Sequence, residues 1–253
     1  MKIREITDAI EAYAPLDLQE EWDNSGLQVG SLDDDVKGVL LCTDVVEPIL
    51  DEAIERGANL IISHHPLIFH GLKKIDGSTY ISRIVARAIK HDITIYCAHT
   101  NMDSAVGGVN YKMASKLGLT DVEFLPCGMG VIGNLAEEVE ALDFLKQVKA
   151  VFEVEKLRYS GRVDRKVKRI AMCGGAGSSM KADAIAQGAD VFITGDCKYH
   201  EFMGDENRII LADIGHWESE HYTKEIFLSI ISKKNPTFAV DFARNERNQL
   251  NYL

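Results

Sequence analysis

Short apolar runs alternate along the chain with stretches in which apolar positions recur every third or fourth residue. Ile3, Ile6, Ile10 and Tyr13 fall on one face of a helix that Pro15 closes. The turn-rich segment from Glu21 to Gly30 leads into a short strand. Val36 to Cys42 reads as a strand buried on both faces, followed by Thr43-Asp44 and a helix from about Glu47 to Arg56. A second such strand, Asn59-Leu60-Ile61-Ile62, runs into Ser63-His64-His65-Pro66. Tyr80, Ile81, Ile84, Val85, Ala88 and Ile89 mark another amphipathic helix, and Ile93 to Cys97 another strand. The order α-β-β-α-β-α-β predicts an α/β fold, with a mixed, mostly parallel sheet covered by helices.

The pattern then repeats. Val36 to Cys42 aligns without a gap on Val167 to Cys173, an offset of 131 (Val36 to Val167), which carries Ala53-Ile54 onto Ala184-Ile185 and Gly57-Ala58 onto Gly188-Ala189. A helix near Ala136 to Val151 and a strand from Leu157 to Ser160 complete the second copy. The chain is therefore predicted to be an internal duplication of two α/β repeats, residues 1–125 and 126–253, joined near Gly118 to Gly133.

The strand ends gather the chemistry. In open α/β sheets, ligands sit beyond the carboxyl ends of the strands. His64 and His65 follow one strand, His99 and Asp103 a second, and His216 and Glu220 the equivalent strand of the second repeat. His99 matches His216 and Asp103 matches Glu220, each a histidine with a carboxylate four residues on, a spacing that faces both side chains the same way on a helical turn. Alone, such a pair is a common helix-surface feature; two related pairs beside a His-His strand end form a ligand set. Imidazole and carboxylate ligands suit zinc, iron, manganese, cobalt or nickel rather than a calcium cage, and the absence of cysteine argues against structural zinc. Three histidines and two carboxylates exceed one tetrahedral ion with an open position and match two divalent ions, a pair able to activate water near neutral pH. His99 is assigned an orienting role, and His99 and His200 are candidates for proton transfer by position, with structural roles as the alternative.

Composition narrows the field. A net charge of −11 disfavours nonspecific nucleic-acid or anionic-membrane binding. The cluster Arg158, Arg162, Arg165, Lys166, Lys168 and Arg169 is either a phosphate patch or a solvated hairpin. Cys173-Gly174-Gly175-Ala176-Gly177-Ser178 follows a strand but lacks the lysine of a nucleotide-binding loop, so a tight turn is the alternative. Five cysteines form no CxxC pair and read as buried free thiols of a reducing compartment. The N-terminus lacks the apolar core of a signal peptide, and no apolar run reaches the ~18 residues of a membrane span. The expectation is a soluble, cytoplasmic protein. Trp22-Asp23-Asn24 either shapes a cleft or forms a turn that packs Trp22.

Trp22-Asp23-Asn24-Ser25-Gly26-Leu27, Ser63-His64-His65-Pro66-Leu67, His99-x-x-x-Asp103, Thr194-Gly195-Asp196 and Gly215-His216-x-x-x-Glu220 resemble, in that order, the NGG-interacting-factor-three-like dinuclear metal proteins. The resemblance covers essentially the whole chain and the short form of the family. It implies two intertwined α/β repeats with the metal site in the cleft between them, and ligands His64, His65, Asp103, His216 and Glu220. It further implies two divalent metals per chain (zinc, iron or manganese), a toroidal homohexamer, and a small-molecule substrate, GTP. The implied activity is that of GTP cyclohydrolase 1 type 2, which opens the purine imidazole ring to release formate and a dihydroneopterin phosphate. A di-metal phosphoesterase or nucleotide hydrolase of another substrate, and a non-catalytic metal-binding or scaffold protein, remain the alternatives, because fold and metal do not fix substrate.

Overall fold

The computed structural model describes residues 1–205, 207–235 and 238–253. In chain order the elements are α1 (Ile3–Tyr13), β1 (Gly26–Val29), β2 (Val39–Cys42), α2 (Glu47–Arg56), β3 (Leu60–Ser63), α3 (Tyr80–Lys90), β4 (Thr94–Cys97) and the single turn α4 (Thr100–Asp103). Then come α5 (Val109–Lys116), β5 (Thr120–Phe124), β6 (Val131–Glu140), α6 (Ala141–Val151), β7 (Arg158–Tyr159), β8 (Lys166–Met172), α7 (Lys181–Ala186) and β9 (Val191–Thr194). The last four are β10 (Ile210–Asp213), α8 (His216–Glu220), α9 (Thr223–Lys234) and β11 (Val240–Phe242). The chain divides into two compact units, Met1–Ala105 with His221–Arg247, and Val106–Glu220 with Asn248–Leu253. Residues 106–125 thus group with the second unit, and α9 and β11 with the first.

The first unit holds a five-stranded sheet in the order β1-β4-β3-β2-β11, parallel throughout except for β1. Every residue of β2, β3 and β4 is buried, as strands covered on both faces must be. Leu40, Ile61 and Ile95 of the sheet share a core with Ile49, Leu50 and Ala53 of α2 and Ile84, Val85 and Ala88 of α3. Ile89, which the helical pattern would also place inward, is 57% exposed. Thr79 starts α3 by accepting the Ser82 N–H at 3.1 Å, and Glu5 caps α1 through the Lys2 N–H at 2.7 Å.

The second unit holds a six-stranded mixed sheet, β5-β6-β8-β9-β10-β7, in which β8, β9 and β10 run parallel. Its central register repeats that of the first unit residue for residue. Val39 pairs with Leu60 and Leu41 with Ile62; Ile170 pairs with Val191 and Met172 with Ile193. After α2 and α7, Gly57 (φ 67°) and Gly188 (φ 74°) take the same left-handed conformation, which glycine adopts without a Cβ clash. The antiparallel edge strand is also kept: β1 on β4, and β7 on β10.

Two details depart from the pattern in the sequence. The helix expected from Ala136 begins only at Ala141, because Val139 and Glu140 pair with Val167 and Lys166 and extend β6. Cross-strand pairing there outweighs helical propensity. Second, β4 and β10 pair with their neighbours so that Thr94 corresponds to Ile210, whereas the two histidines correspond one residue later. Gly215, at φ 92°, is the additional residue between strand and histidine.

Candidate functional site

In the first unit, β3 ends at Ser63 and delivers His64 and His65, while β4 ends at Cys97 and delivers His99 and then Asp103 on α4. The backbone carries the pair on from the sheet: His64 N–H donates to the Cys42 carbonyl at 3.3 Å and His65 N–H to that of Thr43 at 3.0 Å. Each imidazole is then fixed through Nδ1. His64 Nδ1 meets the Ala98 carbonyl at 3.0 Å, His65 Nδ1 meets Asp44 Oδ1 at 2.8 Å, and His99 Nδ1 meets Asp23 Oδ1 at 2.8 Å. A carbonyl or carboxylate only accepts, so Nδ1 of the neutral ring carries the proton and Nε2 keeps its lone pair. This is the arrangement in which histidines are oriented as metal ligands.

The three rings cluster, with centroids 4.9, 5.3 and 5.4 Å apart. Each offers a nitrogen within 4.8 Å of those of the other two. His64 Nε2 and Asp103 Oδ1 are 3.7 Å apart, too far for a hydrogen bond. That gap is close to the ~3.4 Å that separates two donors about 2.1 Å from one tetrahedral ion. His64 and Asp103 are both buried, so the donors converge away from bulk water. His99 thus stands in one cluster with the rings of His64 and His65.

Asp23 anchors His99. Its side chain is fully buried and also accepts the Thr100 N–H (3.1 Å), the Thr100 hydroxyl (2.5 Å), the Ser25 hydroxyl (3.1 Å) and the Asn24 N–H (2.7 Å). Burial alone would raise its pKa; the bonds from His99 and Thr100 outweigh it and hold the carboxyl well below the usual range. Trp22, by contrast, is 57% exposed.

The second unit presents a different group of side chains. His216 opens α8 with Nδ1 2.8 Å from Asp196 Oδ2 and Nε2 2.9 Å from Glu220 Oε2. Burial opposes a charged ring here, yet the charges of Glu220 and Asp196 prevail and raise the His216 pKa to about 11. His216 Nε2 and the Glu220 carboxylate thus face each other, an imidazole–carboxylate pair of the kind divalent metals take. Glu220 is buried and lies in a cradle made by the Gly-rich turn. A Cβ on Gly175 (φ 60°) would stand 2.3 Å from Glu220 Oε1. Three N–H groups of this turn are taken by side chains: Gly174 donates to Asn110 Oδ1, Gly175 to Ser219 Oγ and Gly177 to Thr194 Oγ1. The turn thus lies against the Glu220 carboxylate.

The remaining candidates separate. His200 lies on an exposed single turn, Tyr199–Phe202, with its ring against Tyr199. The arginines of the basic cluster are engaged within their own unit. Arg158 is paired with Asp213, Arg162 with Asp164 and Arg169 with Glu123, and Arg165 donates to the Asp190 carbonyl. The orienting oxygens of Asp44 and Ala98 were absent from the sequence reading, and Asp23 and Asp196 carried no role in it. A signal existed for two of them: Asp44 and Asp196 each stand two residues beyond the end of a parallel strand.

The whole of this arrangement lies within the reach of one family model, Duf34/NIF3 (NGG1p interacting factor 3), which matches residues 1–249. The chain belongs to the Duf34/NIF3 family. A protein named GTP cyclohydrolase 1 type 2 homolog from Clostridium perfringens is 38% identical over 229 residues, 87% of each chain. One of the same name from Streptococcus pneumoniae is 36% identical over 236 residues, 89% of each. Among solved structures, the Staphylococcus aureus hypothetical protein SA1388 superposes with a TM-score of 0.92 at 28% identity, covering 100% of this chain and 99% of that one. A Bacillus cereus protein related to NIF3 gives 0.90 at 27% identity, with coverage of 100% and 99%. The mixed α/β sheets described above are thus the Duf34/NIF3 fold. Among the described residues no helix is long and apolar enough to cross a membrane.

Proposed function

We propose that this Duf34/NIF3 protein is a cytoplasmic, dinuclear-metal-dependent hydrolase. His64, His65, Asp103, His216 and Glu220 are the ligands of two divalent ions, zinc, iron or manganese, and GTP is the substrate whose imidazole ring is opened with release of formate. The observation that carries this reading is the anchoring of each proposed ligand imidazole through Nδ1, His64 to Ala98, His65 to Asp44 and His216 to Asp196, which leaves Nε2 for the ion. The names of the curated relatives support the substrate. A homohexamer is the assembly that accompanies this reading.

Two divalent ions supply Lewis acidity and an activated water at neutral pH. The chain's own residues do the rest. The Ala98 carbonyl and Asp44 hold the rings of His64 and His65, and Asp196 holds that of His216, so each imidazole keeps its own orientation when charge develops. Gly175 leaves room for the Glu220 carboxylate. His99, with Nδ1–H donated to Asp23, presents Nε2 as the atom that takes and returns a proton during ring opening.

Metal content per chain, measured for the wild type and Glu220→Ala and followed by formate release from GTP, tests the proposal. Two metals in the wild type, fewer in the variant and metal-dependent formate are expected. Two metals with phosphate in place of formate would move the assignment to a phosphoesterase. Absence of bound metal after reconstitution with zinc, iron and manganese would overturn the ligand set.

A further inference from the structure

Trp22 and Phe69 are 57% and 38% exposed, although each adjoins a rigidly held residue. Asp23, next to Trp22, accepts the hydrogen bonds described above. Ile68, next to Phe69, receives Asn24 Nδ2 on its carbonyl at 2.6 Å and gives its N–H to Gln28 Oε1 at 3.1 Å. Asn24 and Gln28 belong to the segment that carries Trp22, so one short stretch of chain fixes both aromatic residues. Their ring centroids are 5.7 Å apart and tilted by 48°. Each ring also stands edge-on to His99, at 6.1 Å and 73° for Trp22 and 6.3 Å and 72° for Phe69.

The geometry points to Trp22 and Phe69 as a stacking platform beside His99 for a planar heteroaromatic ring of the substrate. Open aromatic faces on a fixed backbone lose little conformational freedom when a flat ring stacks on them. A tilted pair offers one ring a face and the other an edge, the two arrangements aromatic groups prefer. Two side chains fall far short of the about 800 Å² per partner that a stable protein contact buries, which favours a small molecule over a second chain. The inference rests on the reading of the imidazole cluster as the reacting centre. It adds the two side chains that would hold the flat nitrogen heterocycle of that substrate.

The test is calorimetric binding of guanosine, GTP and inorganic tripolyphosphate to the metal-loaded full chain. It is run on the wild type, Trp22→Ala, Trp22→Phe and Phe69→Ala, with metal content measured in each. Trp22→Ala is expected to weaken guanosine and GTP about tenfold, as loss of one aromatic–base stack does. Trp22→Phe recovers most of the affinity, and tripolyphosphate binding and metal content stay as in the wild type. Guanosine that fails to bind the wild type, or binds both alanine variants equally well, overturns the platform. An altered sedimentation coefficient with unchanged guanosine affinity also overturns it, and assigns the pair to a contact between copies. Failure of the hydrolase reading shows separately, as absent formate from GTP while the tenfold loss persists.

Discussion

The ends of β3 and β4 in the first unit and of β9 and β10 in the second share one strand framework, yet they present opposite chemistry. The first offers three imidazoles and one carboxylate; the second places a single imidazole between two carboxylates. Where the first unit has His64, the second has Gly195, and a Cβ there would meet the Gly215–His216 backbone at 2.8 Å. Where the first has His65, the second has Asp196, at φ 54°. Register is set by buried apolar strands and survives duplication, whereas the residues just past the strand ends are free to diverge. One copy became rich in neutral nitrogen donors and the other rich in negative charge.

Breaking the acidic half should have the largest effect. Gly175→Ala places a Cβ against the Glu220 carboxylate and forces alanine into a left-handed backbone. Metal affinity, measured by competition with a chromophoric chelator, should fall at least about 100-fold, the upper range for disturbing a ligand's support. Unchanged affinity would show that the cradle does not matter.

Removing the orienting carboxylates compares the two halves directly. Asp196→Asn and Asp44→Asn should each lower metal affinity about 10–100-fold, since each leaves a ring in place and loosens its tautomer. Equal metal affinity in the wild type and in both variants would mean that Nδ1 anchoring is incidental.

A third contrast concerns how each sheet is finished. The first unit closes its edge with β11, and Glu52 clamps the returning chain by accepting the Arg244 N–H at 2.9 Å and the Asn245 N–H at 3.0 Å, besides Arg56. The aligned position in the second unit holds the shorter Asp183. Burial pushes the Glu52 pKa up, but the backbone bonds from Arg244 and Asn245 and the Arg56 side chain outweigh it and the net shift is downward. A carboxyl with a lowered folded pKa contributes stability above its unfolded value of 4.5, and that contribution is lost as the pH falls through the folded value. Glu52→Gln should therefore cost about 1.5–3 kcal/mol at neutral pH by denaturant unfolding. The gap to the wild type should narrow under acid; a gap independent of pH would contradict the assignment.

The smallest effect concerns the thiols. Cys42, Cys97, Cys173 and Cys197 are buried and Cys127 is exposed. Burial, with help from Asp213 and Glu201, pushes the Cys197 thiol up to about 12. Native protein should show one fast-reacting thiol, abolished by Cys127→Ser with a stability change within about 0.5 kcal/mol. A second fast thiol would show that one of the strand ends opens.

Much of this was legible in the chain. The buried strands, α2, α3, the ungapped repeat and the residues brought to the strand ends all followed from apolar periodicity and spacing, because such signals are local. The β6 extension to Glu140 was not legible, since it depends on a partner strand distant in sequence. Nor was the packing of the Gly-rich turn, three of whose N–H groups go to Asn110, Ser219 and Thr194.

The sequence by itself determined which side chains stand at the strand ends, since β-strand burial and a fixed offset between repeats leave little choice of register. Only tertiary structure decided what each of those side chains does. Whether a histidine ring presents Nε2, and whether a carboxylate is held ionised, depends on oxygen and N–H partners supplied by other strand ends and turns. Hydrogen bonds act over about 3 Å in space, with no regard for distance along the chain.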